Sequence, residues 1–139
     1  LLSERTVIQV EEEDAVRKQQ KWQAVAIEAA KQCGQNWLPK VELPRALKEF
    51  FSHPVRHELM LIASLQPDAM HLKKLLDETA GKPPKSVLVL IGPEGDFTPA
   101  EIGLAKSNGC RPITLGPIVL RTETAAIYCL SVLSYELFG

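Results

Sequence analysis

Two glycine turns carry the residue types in this chain that could hold a ligand. Gly92-Pro-Glu-Gly-Asp96 follows the apolar run Ser86-Val-Leu-Val-Leu-Ile91, and Leu115-Gly-Pro117 closes the run Arg111-Pro-Ile-Thr-Leu115. Gly92 and Gly95 permit positive φ or a close approach of a ligand to the backbone. The first turn lacks the lysine of G-x-x-x-x-G-K-[ST] and the spacing of G-x-G-x-x-G, which argues against a phosphate cradle. Two readings stay open: backbone groups aimed at an uncharged ring such as adenine, or tight turns that hold nothing. Turn chemistry by itself favours the second.

The remaining reactive side chains offer less. His53 and His57 are four positions apart, but Pro54 interrupts any helix that would present both, and no third ligand is evident, so no metal site is expected. Cys33, Cys110 and Cys129 are odd in number, widely separated and without a C-x-x-C pair. Free, buried thiols in a reducing cytosol fit them better than disulfides or zinc, which predicts a cytoplasmic protein.

The elements that must position the turns alternate in type. Thr6–Val10 reads as a strand, followed by acidic Glu11 to Asp14, which suit a helix start. From Asp14 to Cys33, Trp22, Val25, Ala26, Ala29, Ala30 and Cys33 recur at helical spacing and predict a buried stripe. Arg17, Lys18, Lys21 and Lys31 fall mostly on a solvated face. Gly34 ends the helix. Trp37–Val41 reads as an edge strand, Leu43–Phe51 as a brief helix entered at Pro44, and Glu58–Ala63 as an apolar strand. Ala69–Thr79 predicts a helix and Ala80–Pro84 a linker into the central strand. The next helix is specified closely: Thr98 caps it, Pro99 fits its first position, and Glu101 completes a capping box. A last helix, opening at Leu120–Ala125, is apolar nearly all round, which predicts burial on more than one side and a homodimer through it. This order, with no hairpin signal, predicts an α/β domain with a mostly parallel sheet and helices on both faces.

Size and composition agree with one ordinary globular domain: 139 residues, 45% apolar and 24% charged. The net charge of -1 shows no basic surplus of the kind that favours nucleic acid, so a nucleic-acid partner would need a locally basic face. The chain begins at Leu1 rather than methionine, which reads as a fragment, and shows no secretory signal. Its most apolar segment, Ala125 to Phe138, is interrupted by Ser131, Ser134 and Glu136, so no membrane association is expected.

Leu90-Ile-Gly-Pro-Glu-Gly95, Leu115-Gly-Pro117 and Leu120-Arg-Thr-Glu-Thr-Ala125, in that order, resemble the ribosomal RNA small subunit methyltransferase E family of the SPOUT superfamily. Lys21-Trp-Gln23, Ala26-Ile-Glu-Ala-Ala30 and Gln32-Cys-Gly34 resemble it too. The resemblance implies S-adenosylmethionine-dependent methylation of N3 of a uridine in 16S rRNA. Ribose methylation by another SPOUT enzyme and a non-catalytic RNA-binding scaffold are the alternatives. It also implies a C-terminal trefoil knot, a homodimer, and residues 1–139 as a SPOUT methyltransferase domain without its first strand–helix unit and N-terminal RNA-binding β-barrel. Matched by position, the cofactor would be held by Leu90, Gly92, Pro93, Glu94, Gly95, Leu115, Gly116, Leu120, Arg121, Thr122, Thr124 and Ala125. Arg121 is implied to hold the uridine or its phosphate, with Glu94 and Glu123 as carboxylates that remove the N3 proton or orient Arg121. Family members commonly carry Gly in place of Asp96 and Arg in place of Gln35 and Ile118.

Overall fold

A computed structural model describes residues 1–5, 12–93 and 95–138. The elements run α1 (Glu12–Cys33), α2 (Leu47–Phe50), β1 (Leu59–Ala63), β2 (Met70–His71), α3 (Leu72–Asp77), β3 (Val87–Leu90), α4 (Pro99–Ser107), β4 (Arg111–Thr114) and α5 (Thr122–Phe138).

A run such as Leu59-Met-Leu-Ile62 has no polar alternation, so both faces of the strand that it forms need cover. All four residues are buried. Met60 and Ile62 face a cluster with Leu47, Leu90, Phe97, Ile102 and Ala105, while Leu59 and Leu61 face another with Leu72, Leu75, Ile113, Cys129 and Leu133. The period of two thus places α2 and α4 on one side of the sheet and α3 and α5 on the other. The sheet is four-stranded, ordered β2-β4-β1-β3, and every pairing is parallel. Burial of each large apolar side chain in such a core contributes about 1.5–3 kcal/mol.

The capping box forms as expected. Glu101 donates its amide to the Thr98 hydroxyl (3.2 Å), and its carboxylate accepts the Thr98 amide (2.8 Å).

Several expectations need correction. Trp37–Val41 is not a strand. Its backbone groups are taken by glutamines of α1 instead: Gln23 accepts the Val41 amide (2.8 Å) and donates to the Pro39 carbonyl (2.8 Å), and Gln19 donates to the Val41 carbonyl (2.7 Å). With these partners the segment needs no neighbouring strand. The helix expected over 43–51 shrinks to α2, since Ala46, its N-cap, is extended. Within 69–79, Met70 and His71 pair with β4, and the helix starts only after them, the His71 ring accepting the Lys73 amide (3.3 Å). The apolar stripe of α1 is not buried: Ala30 is, but Trp22 is 47% and Val25 62% exposed, and Cys33 is exposed as well. The basic face pairs locally, Arg17 and Lys18 with Asp14 and Lys31 with Glu28. The Thr6–Val10 strand lies outside the described residues.

Cys110 and Cys129 are buried, and burial pushes their thiols up to about 11, so they stay protonated at neutral pH. No helix among the described residues is long and apolar enough to cross a membrane.

Candidate functional site

The carboxyl ends of β1, β3 and β4 open together into a cleft. β1 contributes Ala63, Ser64 and Leu65, β3 leads into Ile91, Gly92 and Pro93, and β4 ends in Ile113, Thr114, Leu115 and Gly116. Such ends are where open α/β sheets bind ligands, because the loops there converge while the opposite ends are occupied by returning chain. Both glycine turns therefore meet at one site.

The walls are held by short polar ties. The Thr122 hydroxyl, in the first turn of α5, donates to the Gly92 carbonyl (3.1 Å), joining one turn to the helix that follows the other. The Thr114 hydroxyl accepts the Gly116 amide (3.4 Å) and donates to the Gly116 carbonyl (3.2 Å). Gly116 has φ +135°, a conformation that needs glycine.

Asp96 is the buried carboxylate of the cleft. It accepts the Phe97 amide (2.8 Å) on one oxygen, and the Leu65 amide (2.9 Å) and Ser64 hydroxyl (3.4 Å) on the other. Its φ of +65° is left-handed, which aspartate tolerates better than most residues. It pins the turn after β3 to the end of β1. Sequence reasoning did not place Asp96, Ser64, Leu65 or Ile91 in the site, although Asp96 closes a glycine turn whose position was legible.

Of the residues matched by position, Gly92, Pro93, Leu115, Gly116, Leu120 and Ala125 line the cleft. Thr122 reaches it through its bond to Gly92. Leu90 does not line it: its side chain is 2% exposed and packs in the core beneath α4. Gly95 is exposed on the outer side of its turn, where the Arg5 guanidinium donates to its carbonyl. Thr124, Arg121 and Glu123 are exposed at the start of α5, and no ion pair joins Arg121 to Glu123. The Arg121 carbonyl accepts the Ala125 amide (2.8 Å), so its backbone opens the helix while its side chain stays in solvent. Glu94 lies outside the described residues. His53 and His57 are both exposed, and neither lines the cleft.

Among the described residues the lining contains no lysine or arginine and one carboxylate, and most of it is apolar side chain or backbone. A nucleotide phosphate would find no cation here. An uncharged ring against Ile91, Leu115 and Leu120 fits, and so does a cationic group. Ile118 and Val119 at the rim are 70% and 61% exposed.

Comparison with known proteins agrees with this chemistry. Residues 1–134 match a family model described as an RNA methyltransferase domain. Among curated relatives, the ribosomal RNA small subunit methyltransferase E of Bacillus subtilis is 29% identical over 134 residues, covering 95% of this chain and 52% of that protein. Its namesake in Synechocystis is 32% identical over 132 residues, covering 94% and 42%. A solved structure described as a methyltransferase of Legionella pneumophila in complex with SAM is 36% identical, with a TM-score of 0.85, covering 96% of this chain and 52% of that one. A ribosomal RNA small subunit methyltransferase E of Neisseria gonorrhoeae, bound to S-adenosyl methionine, is 27% identical with a TM-score of 0.80, covering 96% and 52%. The chain spans about half the length of the curated relatives that it matches.

Proposed function

Because the chain belongs to the RNA methyltransferase domain family, we propose that it binds S-adenosylmethionine in the cleft and methylates N3 of a uridine in 16S rRNA. The observation that carries this reading is the lining itself: backbone and apolar side chains at three strand ends, with one carboxylate and no cation among the described residues. That lining suits an adenosine and a sulfonium, and rejects a phosphate. The cofactor supplies an electrophilic methyl group.

The protein's own part is to present the nucleophile. Uracil N3 carries a proton that must leave as the new N–C bond forms, and the resulting negative charge spreads onto the ring carbonyls. Arg121, exposed at the rim and without an acidic partner among the described residues, would hold those oxygens or the adjoining phosphate. Glu123, one helical turn or less from Arg121, or Glu94 would accept the proton. An acid in the first turn of α5 is also stabilised by the helix dipole, so proton transfer has to be tested on Glu123 by kinetics.

A homodimer through α5 belongs to the same proposal. Ala125, Cys129 and Leu133 face the core, whereas Ile127 (66%), Leu130 (68%) and Tyr135 (79%) are exposed on the other side. Ile118 and Val119 are exposed apolar residues at the mouth of the cleft, and a second copy that reached them would cover the site as well. A trefoil knot in the C-terminal part is supported by β4 lying between β1 and β2 while β3, which precedes it, occupies the opposite edge. Light scattering is expected to give twice the chain mass at micromolar concentration; a monomer there would remove the dimer.

The test of function is calorimetric titration with S-adenosylmethionine, joined to methyl transfer onto small-subunit rRNA. Reverse transcription should stop at the modified base, since N3 methylation blocks pairing; a product that is read through would point to ribose methylation. Arg121→Ala is expected to keep cofactor affinity and to lower methyl transfer at least about tenfold, roughly 1.4 kcal/mol in the barrier. Wild-type turnover in that variant would remove Arg121 from the site.

A further inference from the structure

Ser3, Glu4 and Arg5 form a strap along the β3–α4 connection and the start of α4. The Ser3 hydroxyl donates to Glu101 Oε2 (3.1 Å) and the Glu4 amide to Oε1 (2.9 Å) of a carboxylate that is 5% exposed. The Glu4 carboxylate in turn accepts the Thr98 hydroxyl (3.1 Å), and the Arg5 amide donates to Ser3 Oγ (3.2 Å). Just before the strap, the Leu2 amide donates to the Arg45 carbonyl (2.8 Å). A buried carboxylate with this many donors is costly to rearrange, which holds the strap in place. Its product is the location of the Arg5 side chain. Nη1 donates to the Gly95 carbonyl, and Cδ lies 3.8 Å from the point where a Gly95 side chain would begin.

Arg17, Arg45 and Arg111 each carry an acidic partner, whereas Arg5, Arg56 and Arg121 have none among the described residues. Arg56 lies in the connection leading into β1, at the amino end of the sheet. Arg121 is next to Thr122, whose hydroxyl joins Gly92, and Arg5 lies against Gly95, in the turn whose Gly92, Pro93 and Asp96 line the cleft. One guanidinium N–H is spent on a carbonyl, and the other donors of Arg5 have no partner among the described residues. A planar fork with free donors matches the oxygens of a phosphodiester.

We infer that Arg5 is a second substrate-binding residue, which takes a backbone phosphate of the RNA beside the cleft while Arg121 engages the target nucleotide. The inference rests on the RNA methyltransferase reading. With a net charge of -1 the chain has little general attraction for RNA, so single placed cations carry an unusual share of it.

The experiment is binding of a small-subunit rRNA transcript over a series of NaCl concentrations, with S-adenosylmethionine affinity measured by calorimetry on the same samples. Arg5→Ala is expected to weaken RNA binding about fivefold to tenfold at low salt and to reduce the slope of log K against log salt by about one, with cofactor affinity unchanged. Arg5→Lys should restore the slope, and Arg56→Ala should leave both quantities as in the wild type. An unchanged salt slope in Arg5→Ala would overturn the inference, as would a loss of cofactor affinity equal to the loss for RNA, which would mean that Arg5 only props the Gly95 turn. Wild-type protein that showed the Arg5-dependent slope but bound no S-adenosylmethionine would uphold the RNA contact and remove the methyltransferase reading.

Discussion

Asp96→Ala is expected to lower the unfolding free energy by about 3 kcal/mol, and to weaken cofactor binding with it. Asp96 is 7% exposed, and its carboxylate holds the amides of Phe97 and Leu65. Alanine would leave those donors without their acceptor, at about 1–3 kcal/mol for a buried group. It would also keep φ at +65°, which costs a residue with a Cβ and no local hydrogen bond roughly 1–2 kcal/mol. The two penalties separate in a series. Asp96→Asn keeps an acceptor and tolerates the left-handed backbone, and should be mildest. Asp96→Gly loses the acceptor but relieves the backbone, and should fall between Asn and Ala. Urea titrations of the three variants give the order. If glycine proves less stable than alanine, backbone strain is not a part of the cost; if alanine lies within about 0.5 kcal/mol of wild type, the carboxylate does not hold the loop. Because Asp96 connects the turn after β3 to Leu65 after β1, both of which line the cleft, the stability loss should appear as weaker S-adenosylmethionine binding even where the protein is still folded.

The parts of this fold that were legible in the chain are those decided by neighbours in sequence. Thr98, Pro99 and Glu101 specify a helix start within one turn, and the start forms as specified. The unbroken apolar run at 59–62 needs cover on both faces, and that requirement alone yields a parallel, doubly covered strand. What was not legible depends on partners far away in the chain. Trp37–Val41 has strand-like composition, but Gln19 and Gln23 satisfy its backbone from a helix, and nothing in a local window reports that. The stripe on α1 has the spacing of a buried face, yet spacing says only that apolar residues share a side, not that anything covers it. In the site, the glycine turns announced the position of the cleft. The ties that shape it, Asp96 to Leu65, Thr122 to Gly92 and Glu101 to Ser3 and Glu4, join positions from 30 to 98 residues apart. Arg5 was not legible for the same reason: a strap, not a motif, brings it beside the 92–96 turn.

Gly92→Val is expected to abolish S-adenosylmethionine binding, and the structure moves the cause from the ligand to the protein. A Cβ at Gly92 would lie 2.9 Å from Cδ2 and 3.0 Å from Cε2 of Phe97. That ring is 2% exposed and packed with Leu47, Leu90 and Ile102, so it has no space to withdraw into. The loop must give instead, at about 1–3 kcal/mol for overpacking, and valine with its extra branches should reach the upper end. Displacement of Gly92 also pulls its carbonyl from the Thr122 hydroxyl, which loosens the start of α5 on the far side of the cleft. The reading of Gly92 as room for a bound molecule predicts another result: a stable protein that binds nothing. The pair Gly92→Ala and Phe97→Leu tells the two apart. If the ring is the obstacle, Phe97→Leu makes room, and the double variant should be about 1 kcal/mol more stable than the sum of the single effects, with cofactor affinity partly recovered. Additive stabilities, with binding lost in Gly92→Ala whatever stands at position 97, would return the glycine to the ligand.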